Sequence, residues 1–182
     1  MLTRRQLLTS GANIAVLASL AGCGQNVDTA PTTEGEPVAT QTKQDKARTV
    51  ITTDGEVDDR NSVIRALLYS CDMDIAGIVL TSSMYHYAGN GEDVEPFRWT
   101  GTEWLSEFID AYGEVQPNLV LHNPDYPTAE YLKSVTKIGN ISNKGEMEEV
   151  TEGSEFLKGL FLDEDPRTLY VQTWGGTNTT AR

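Results

Sequence analysis

From Arg48 onward the apolar positions switch between two rhythms, and the switches mark out the elements. Thr49-Val50-Ile51-Thr52-Thr53 is a β-branched run that predicts a strand ending at Asp54-Gly55. Val63, Ile64, Leu67 and Leu68 then fall at helical spacing, predicting a helix from Asn61 to Tyr69. Ile75-Ala76-Gly77-Ile78-Val79-Leu80 is a second strand, continuously apolar as a parallel strand buried on both faces would be. A longer helix carries Trp104, Leu105, Phe108, Ile109 and Tyr112 on one face, with Gly113 as its stop. Pro127-Thr128 opens another helix, capped by Thr128 and running to about Lys137. A further helix covers Ser154 to Leu162, and Leu169 to Thr173 is a third strand. Strands separated by helices predict an α/β fold: an open, mostly parallel, Rossmann-like sheet with flanking helices. Ligands bind such sheets at the carboxyl ends of the strands. Three polar segments follow strands, at residues 54–59, 81–89 and 174–179, and together they predict one site.

Before Arg48 neither rhythm is present. Residues 1–23 combine a basic start (Arg4, Arg5), an apolar stretch from Ile14 to Leu20 too short to span a bilayer, and small residues leading to Cys23. Leu20-Ala21-Gly22-Cys23 resembles a bacterial lipobox, which implies lipidation of Cys23. Thr3-Arg4-Arg5-Gln6-Leu7-Leu8 resembles a twin-arginine export motif. The expectation is an exported, membrane-anchored lipoprotein of the periplasm or cell surface. Residues 24–47, rich in Thr, Pro and Gln, read as a flexible tether, and residues 48–182 as the folded domain. With Cys23 lipidated, Cys71 has no partner and reads as a buried free thiol.

Charge narrows the function. The 182 residues hold 14 basic and 27 acidic side chains, a net charge of -13, which excludes a nucleic-acid backbone binder. Two cysteines exclude a disulfide scaffold or a thiolate zinc site.

The acids are concentrated where chemistry is expected. Asp54, Glu56, Asp58 and Asp59 lie within six residues at a strand-to-helix turn, beside a single cation, Arg60. Repulsion at this density raises carboxyl pKa values unless something neutralises the group. Asp58 or Asp59 as a helix cap accounts for one acid. A hard divalent cation accounts for the set, with calcium favoured by its flexible, oxygen-rich coordination. The spacing is not that of an EF-hand loop.

Thr52-Thr53-Asp54-Gly55-Glu56-Val57-Asp58-Asp59 resembles the DxDxGxDD signature of inosine–uridine nucleoside hydrolases. With Trp174-Gly175-Gly176-Thr177-Asn178-Thr179 it is closer to a nucleoside hydrolase-like family described as bacterial cellulose-binding proteins. The resemblance implies that Asp54, Asp59 and the Thr173 carbonyl hold calcium, and that Asp54 also takes a proton from the attacking water. It implies that Asp58 binds a sugar diol and that Asn178 orders the turn at the sugar site. Thr52 replaces the family's first aspartate and Glu56 its glycine, so the sugar need not be a purine or pyrimidine riboside. It also implies a larger domain than residues 48–182. The expectation is a truncated fragment, short of one calcium ligand, that hydrolyses nothing alone and carries an unpaired sheet edge.

Other residues add to this picture. His86 follows the second strand and reads either as a sugar contact or proton donor, or as a hydrogen-bonded loop histidine. Trp174 reads as a stacking platform, Trp104 as core, and His122 as structural or exposed. Two functions fit: a calcium-dependent hydrolase of a glycosidic bond, N-ribosyl or related, and a non-catalytic cell-surface binder of cellulose-type carbohydrate. Oligomeric state is left open.

Overall fold

The computed structural model describes residues 42–182, so the predicted signal, Cys23 and most of the predicted tether lie outside the described residues. Within the tether's last stretch, a 3-10 turn at Lys43–Asp45 precedes the first strand. The elements run β1 (Ala47–Thr53), α1 (Val57–Leu68), β2 (Met73–Leu80), α2 (Glu103–Leu119), α3 (Ala129–Ser134), β3 (Thr136–Ile138), α4 (Glu152–Leu162), β4 (Leu169–Thr173) and α5 (Asn178–Ala181).

Four strands form one sheet in the order β3-β2-β1-β4, and every pairing is parallel. β1 is central, pairing with β2 on one side and β4 on the other, which explains why Arg48 to Thr53 are all buried. Side chains alternate across a strand. On one face Ile78 and Leu80 join Val63, Leu67, Leu105, Ile109 and Leu132 of the first three helices. On the other, Val50 and Val79 meet Leu157 of α4. Gly77 of β2 lets α4 close on the sheet, since a Cβ there would stand 2.5 Å from the Phe156 ring. Among the described residues no helix is long and apolar enough to cross a membrane.

The structure moves several predicted boundaries. α1 begins at Val57, four residues before Asn61, with Glu56 at the cap position and no side-chain cap bond. Asp58 and Asp59 therefore do not cap; they sit inside the first turn, where the helix dipole favours negative charge. α2 runs past Gly113 and through Pro117. Gly113 serves contact instead of termination: a Cβ there would lie 3.0 Å from Ala129, the first residue of α3. Thr128 does cap α3, its hydroxyl accepting from Tyr131 N–H at 3.1 Å. That helix stops at Ser134, and the residues expected to continue it form β3, an edge strand of three residues. Trp104 and Cys71 are buried, and Cys71 is unpaired.

At the amino end of the sheet the buried charges neutralise one another. Arg48 pairs with Asp163 and Asp165, and Arg167 bridges Asp165 and Asp74. The Arg167 guanidinium beside Asp165 holds that carboxyl well below the usual range. The carboxyl end is balanced differently.

Candidate functional site

The chain leaves β1 at Asp54 and turns sharply at Gly55, whose φ of +79° suits glycine alone. A Cβ at Gly55 would also lie 2.7 Å from the Trp104 indole nitrogen, so α2 presses directly on the turn. Three local bonds then fix the acids. Glu56 N–H donates to Asp54 Oδ1 at 3.0 Å, while Thr53 Oγ1 and Asp54 N–H both donate to Asp59 Oδ2 at 2.8 Å. Asp54 and Asp59 are buried, Glu56 is half-buried, and Asp58 points its exposed residue to solvent from the first turn of α1.

The loop after β4 closes over Asp54. Trp174 N–H donates to Thr52 O at 2.9 Å, and Gly176 N–H to Ser82 O at 2.9 Å. Gly175 lies flat on Asp54; a Cβ would stand 2.9 Å from that side chain. Asn178 is buried and fully engaged. Its Oδ1 accepts from Thr81 Oγ1 at 2.8 Å, and its Nδ2 donates to Ser82 Oγ, Asn140 O and Glu146 O at 2.9, 2.9 and 3.0 Å. Asn178 thus ties the loops after β2, β3 and β4 together. Trp174 is half-buried against the larger core cluster, and Thr173 stands exposed at the end of β4, its residue registered with Thr52.

His86 returns from the loop after β2 into this group. It is 6% exposed, its Nδ1 has no hydrogen-bond partner, and Glu56 Oε2 is 3.6 Å away. Asp54, Glu56 and His86 each present one ligand atom, all within 4.8 Å of one another. His122, by contrast, is exposed after α2.

Positive charge does not offset the aspartates. Among the described residues no salt bridge reaches Asp54, Asp58 or Asp59. Arg60 turns its guanidinium onto the rings of Trp104 and Phe108, at 5.1 and 5.9 Å. Arg98, with φ of 51°, comes no closer to Glu56 than 3.9 Å. Burial pushes the Asp59 carboxyl up to about 6, and repulsion from Asp54 adds to the rise against the two donors that lower it. Asp54, Glu56 and His86, with the His86 Nδ1 lacking a hydrogen-bond partner, form a group that could hold a metal ion. The residues present fit a divalent cation.

A consequence is measurable. Asp59 titrates at about 6 in the fold and near 3.8 unfolded, so between those values the native chain holds a proton that the unfolded chain releases. Its stabilising contribution is complete below 3.8 and is lost as pH rises through about 6. Denaturant melts of the cation-free protein between about pH 4 and pH 8 are expected to show a downward slope that Asp59→Asn flattens. An unaltered slope in that variant would show that Asp59 is not under this strain.

The opening of the site combines aromatic and polar surface. Tyr87 and Phe97 stack at 5.8 Å, Phe97 remains 41% exposed, and Tyr85, two residues before Tyr87 in the chain, is exposed too. A cavity of about 430 Å³ adjoins the Gly175-Gly176 turn, lined by Ser83, Met84, Lys144, Met147, Thr177 and Asn178. Sequence reasoning did not single out Phe97, Arg98 or Lys144, which carry no local pattern. Glu56 had a signal: it stands where the resembling enzymes have glycine, within the acidic cluster.

A family profile described as "Cellulose-binding Sde182, nucleoside hydrolase-like domain" matches residues 48–182. Among solved structures the chain is similar to a nucleoside hydrolase-related protein from Saccharophagus degradans that is associated with carbohydrate metabolism. The two are 26% identical with a TM-score of 0.64, over 75% of this chain and 32% of the other, so this chain spans about a third of that one's length. No protein of curated function matches.

Proposed function

Because the chain belongs to the cellulose-binding Sde182, nucleoside hydrolase-like family, we propose that its carboxyl-edge site is part of a centre that, in a domain of the family's full length, hydrolyses the glycosidic bond of a sugar ligand with a divalent cation's help. The observation that carries this reading is the buried Asp54–Asp59 pair at the strand ends, neither carrying a salt bridge among the described residues, under a glycine turn whose Gly176 also lines a cavity of about 430 Å³. Asp54 is the proton acceptor, oriented by Glu56 N–H and by the flat Gly175 above it. Asp58, exposed beside the pair, accepts hydrogen bonds from a sugar diol and fixes the anomeric carbon's position. Asp54 takes one proton of the water as the water oxygen joins that carbon, and the glycosidic bond breaks with its electrons leaving on the departing group, which takes up a proton from solvent. The cation, when bound, supplies Lewis acidity and lowers the pKa of the attacking water. Asp54, Asp59 and the Thr173 carbonyl would hold it; the resemblance favours calcium.

A second reading keeps the site but removes turnover. The stacked, partly exposed Tyr87–Phe97 pair offers a face on which a sugar ring can lie, and the family's name includes cellulose binding. Incubation with nucleosides and with cello-oligosaccharides, with calcium and with chelator, separates the two. Cation-dependent sugar release supports hydrolysis, and retention on insoluble glucan without release supports binding alone.

The location of the protein is part of the proposal. Lipidation at Cys23 anchors it to a membrane after export, and the apolar stretch before it is too short to do so. Cys23→Ser is expected to move the protein from the membrane to the soluble fraction on ultracentrifugation. Persistent membrane association would contradict the lipobox reading.

A further inference from the structure

A calcium ion bound through Asp54, Asp59 and a main-chain carbonyl needs only oxygens, and Asp59 has already committed Oδ2 to two donors. His86 and Glu56 then lie outside that ligand set, although both are drawn to the same point and, among the described residues, Glu56 has only Arg98, at 3.9 Å, as a fixed positive neighbour. His86 is 6% exposed, its Nδ1 is unpartnered, and it faces Glu56 Oε2 at 3.6 Å. A buried imidazole nitrogen normally finds a donor or acceptor. The exception here lies among carboxylate oxygens, with Asp54, Glu56 and His86 offering atoms within 4.8 Å of one another. Ligands at about 2.1 Å from one ion lie within about 4.2 Å of each other, so sub-ångström side-chain movements bring these three onto a common centre.

We propose that Asp54, Glu56 and His86 form a mixed oxygen–nitrogen site for a nitrogen-accepting divalent cation of the Co2+ and Zn2+ class. The inference rests on the cation-assisted reading above and changes the ion and two of its ligands. Calcium is a hard ion that takes oxygen donors, whereas imidazole is a good ligand for first-row transition ions and zinc. One nitrogen in three ligands therefore shifts preference away from calcium. Asp54 belongs to both possible ligand sets, so the two ions compete for one place. Glu56, at the glycine position of the resembling signature, is the residue that makes the difference. Its backbone also holds Asp54, which links the new ligand to the proposed proton acceptor.

Metal titrations of the full chain test this with Co2+, Zn2+ and Ca2+ as probes. Co2+ or Zn2+ is expected to bind at least about tenfold tighter than Ca2+ by calorimetry, with Co2+ giving visible d–d absorption of a nitrogen-containing site. His86→Gln and Glu56→Gln are each expected to weaken Co2+ binding by roughly tenfold or more, while Ca2+ affinity stays within about twofold. Circular dichroism checks that both variants fold. The wild-type chain provides an independent readout, because it holds two histidines. Zn2+ is expected to shift the ring 15N resonances of His86 and leave those of the exposed His122 unchanged. Co2+ affinity untouched by His86→Gln, Ca2+ binding as tight as Co2+, or unshifted His86 resonances would each overturn the proposal. These outcomes are separate from the sugar reading: Ca2+-dependent sugar binding with a silent His86 leaves that reading standing and removes this one.

Discussion

Asp54→Asn is expected to weaken divalent-cation binding on the order of a hundredfold, about 2.7 kcal/mol. It is also expected to lower any sugar turnover by a factor on the order of 10² to 10⁴, the usual size of a lost general base. Asp54 is the residue shared by every ligand set that this site can offer, and it is buried with no salt bridge among the described residues. The asparagine keeps the shape and can still accept from Glu56 N–H, so the turn after β1 survives. It removes the negative charge that a cation needs and the repulsion that helps raise Asp59. Asp72→Asn is the control, being exposed and distant in the chain from the acidic turn. Calorimetry at one pH checks both. Equal cation affinity in wild type and Asp54→Asn would remove the cation site.

Asn178→Ala acts through architecture instead. One amide accepts from Thr81 and donates to Ser82, Asn140 and Glu146, and it is 3% exposed. Removing it strands buried hydroxyl and carbonyl groups of three loops, each costing about 1–3 kcal/mol when left without a partner. Partial relaxation leaves an expected loss of about 3 kcal/mol, a fall in Tm on the order of 10 °C. The amide hydrogens of Gly176 and Asn140, which bond across the same loops, are expected to exchange faster. Asn118→Ala, at an exposed position of α2, is expected to stay within about 0.5 kcal/mol of wild type. A melt showing equal losses in both variants would contradict the role given to Asn178.

Much of this arrangement was legible along the chain. β1 and β2 are runs of β-branched or apolar residues buried inside the parallel sheet, and such runs stand out; β4, largely exposed at the edge, is legible from its composition between turns. β3 was not legible, because three residues at a sheet edge carry no period and continue the rhythm of α3. The length of α2 was hidden by Gly113, which reads as a stop; it instead makes room for Ala129, and the helix runs on through Pro117. The acidic turn announced itself by charge density, and Asn178 by its place in the glycine turn. What sequence could not supply was the third dimension of the site. His86 lies 30 residues from Glu56 in the chain and meets it only because β2 pairs with β1 and its loop folds back. Arg60 is the one cation adjacent to the acids in sequence, yet it lies over the rings of Trp104 and Phe108 in cation–π contact.

The central claim is that a cation and a sugar meet at the carboxyl edge of this sheet. Calorimetric titration of the full chain with a nucleoside and with a cello-oligosaccharide, in the presence of divalent cation and again with chelator, addresses it most directly. The expected result is that at least one sugar binds, with affinity falling by roughly tenfold or more on chelation and again in Asp58→Ala. Sugar affinity indifferent to chelator and to Asp58, or no sugar binding with the cation site filled, would contradict it.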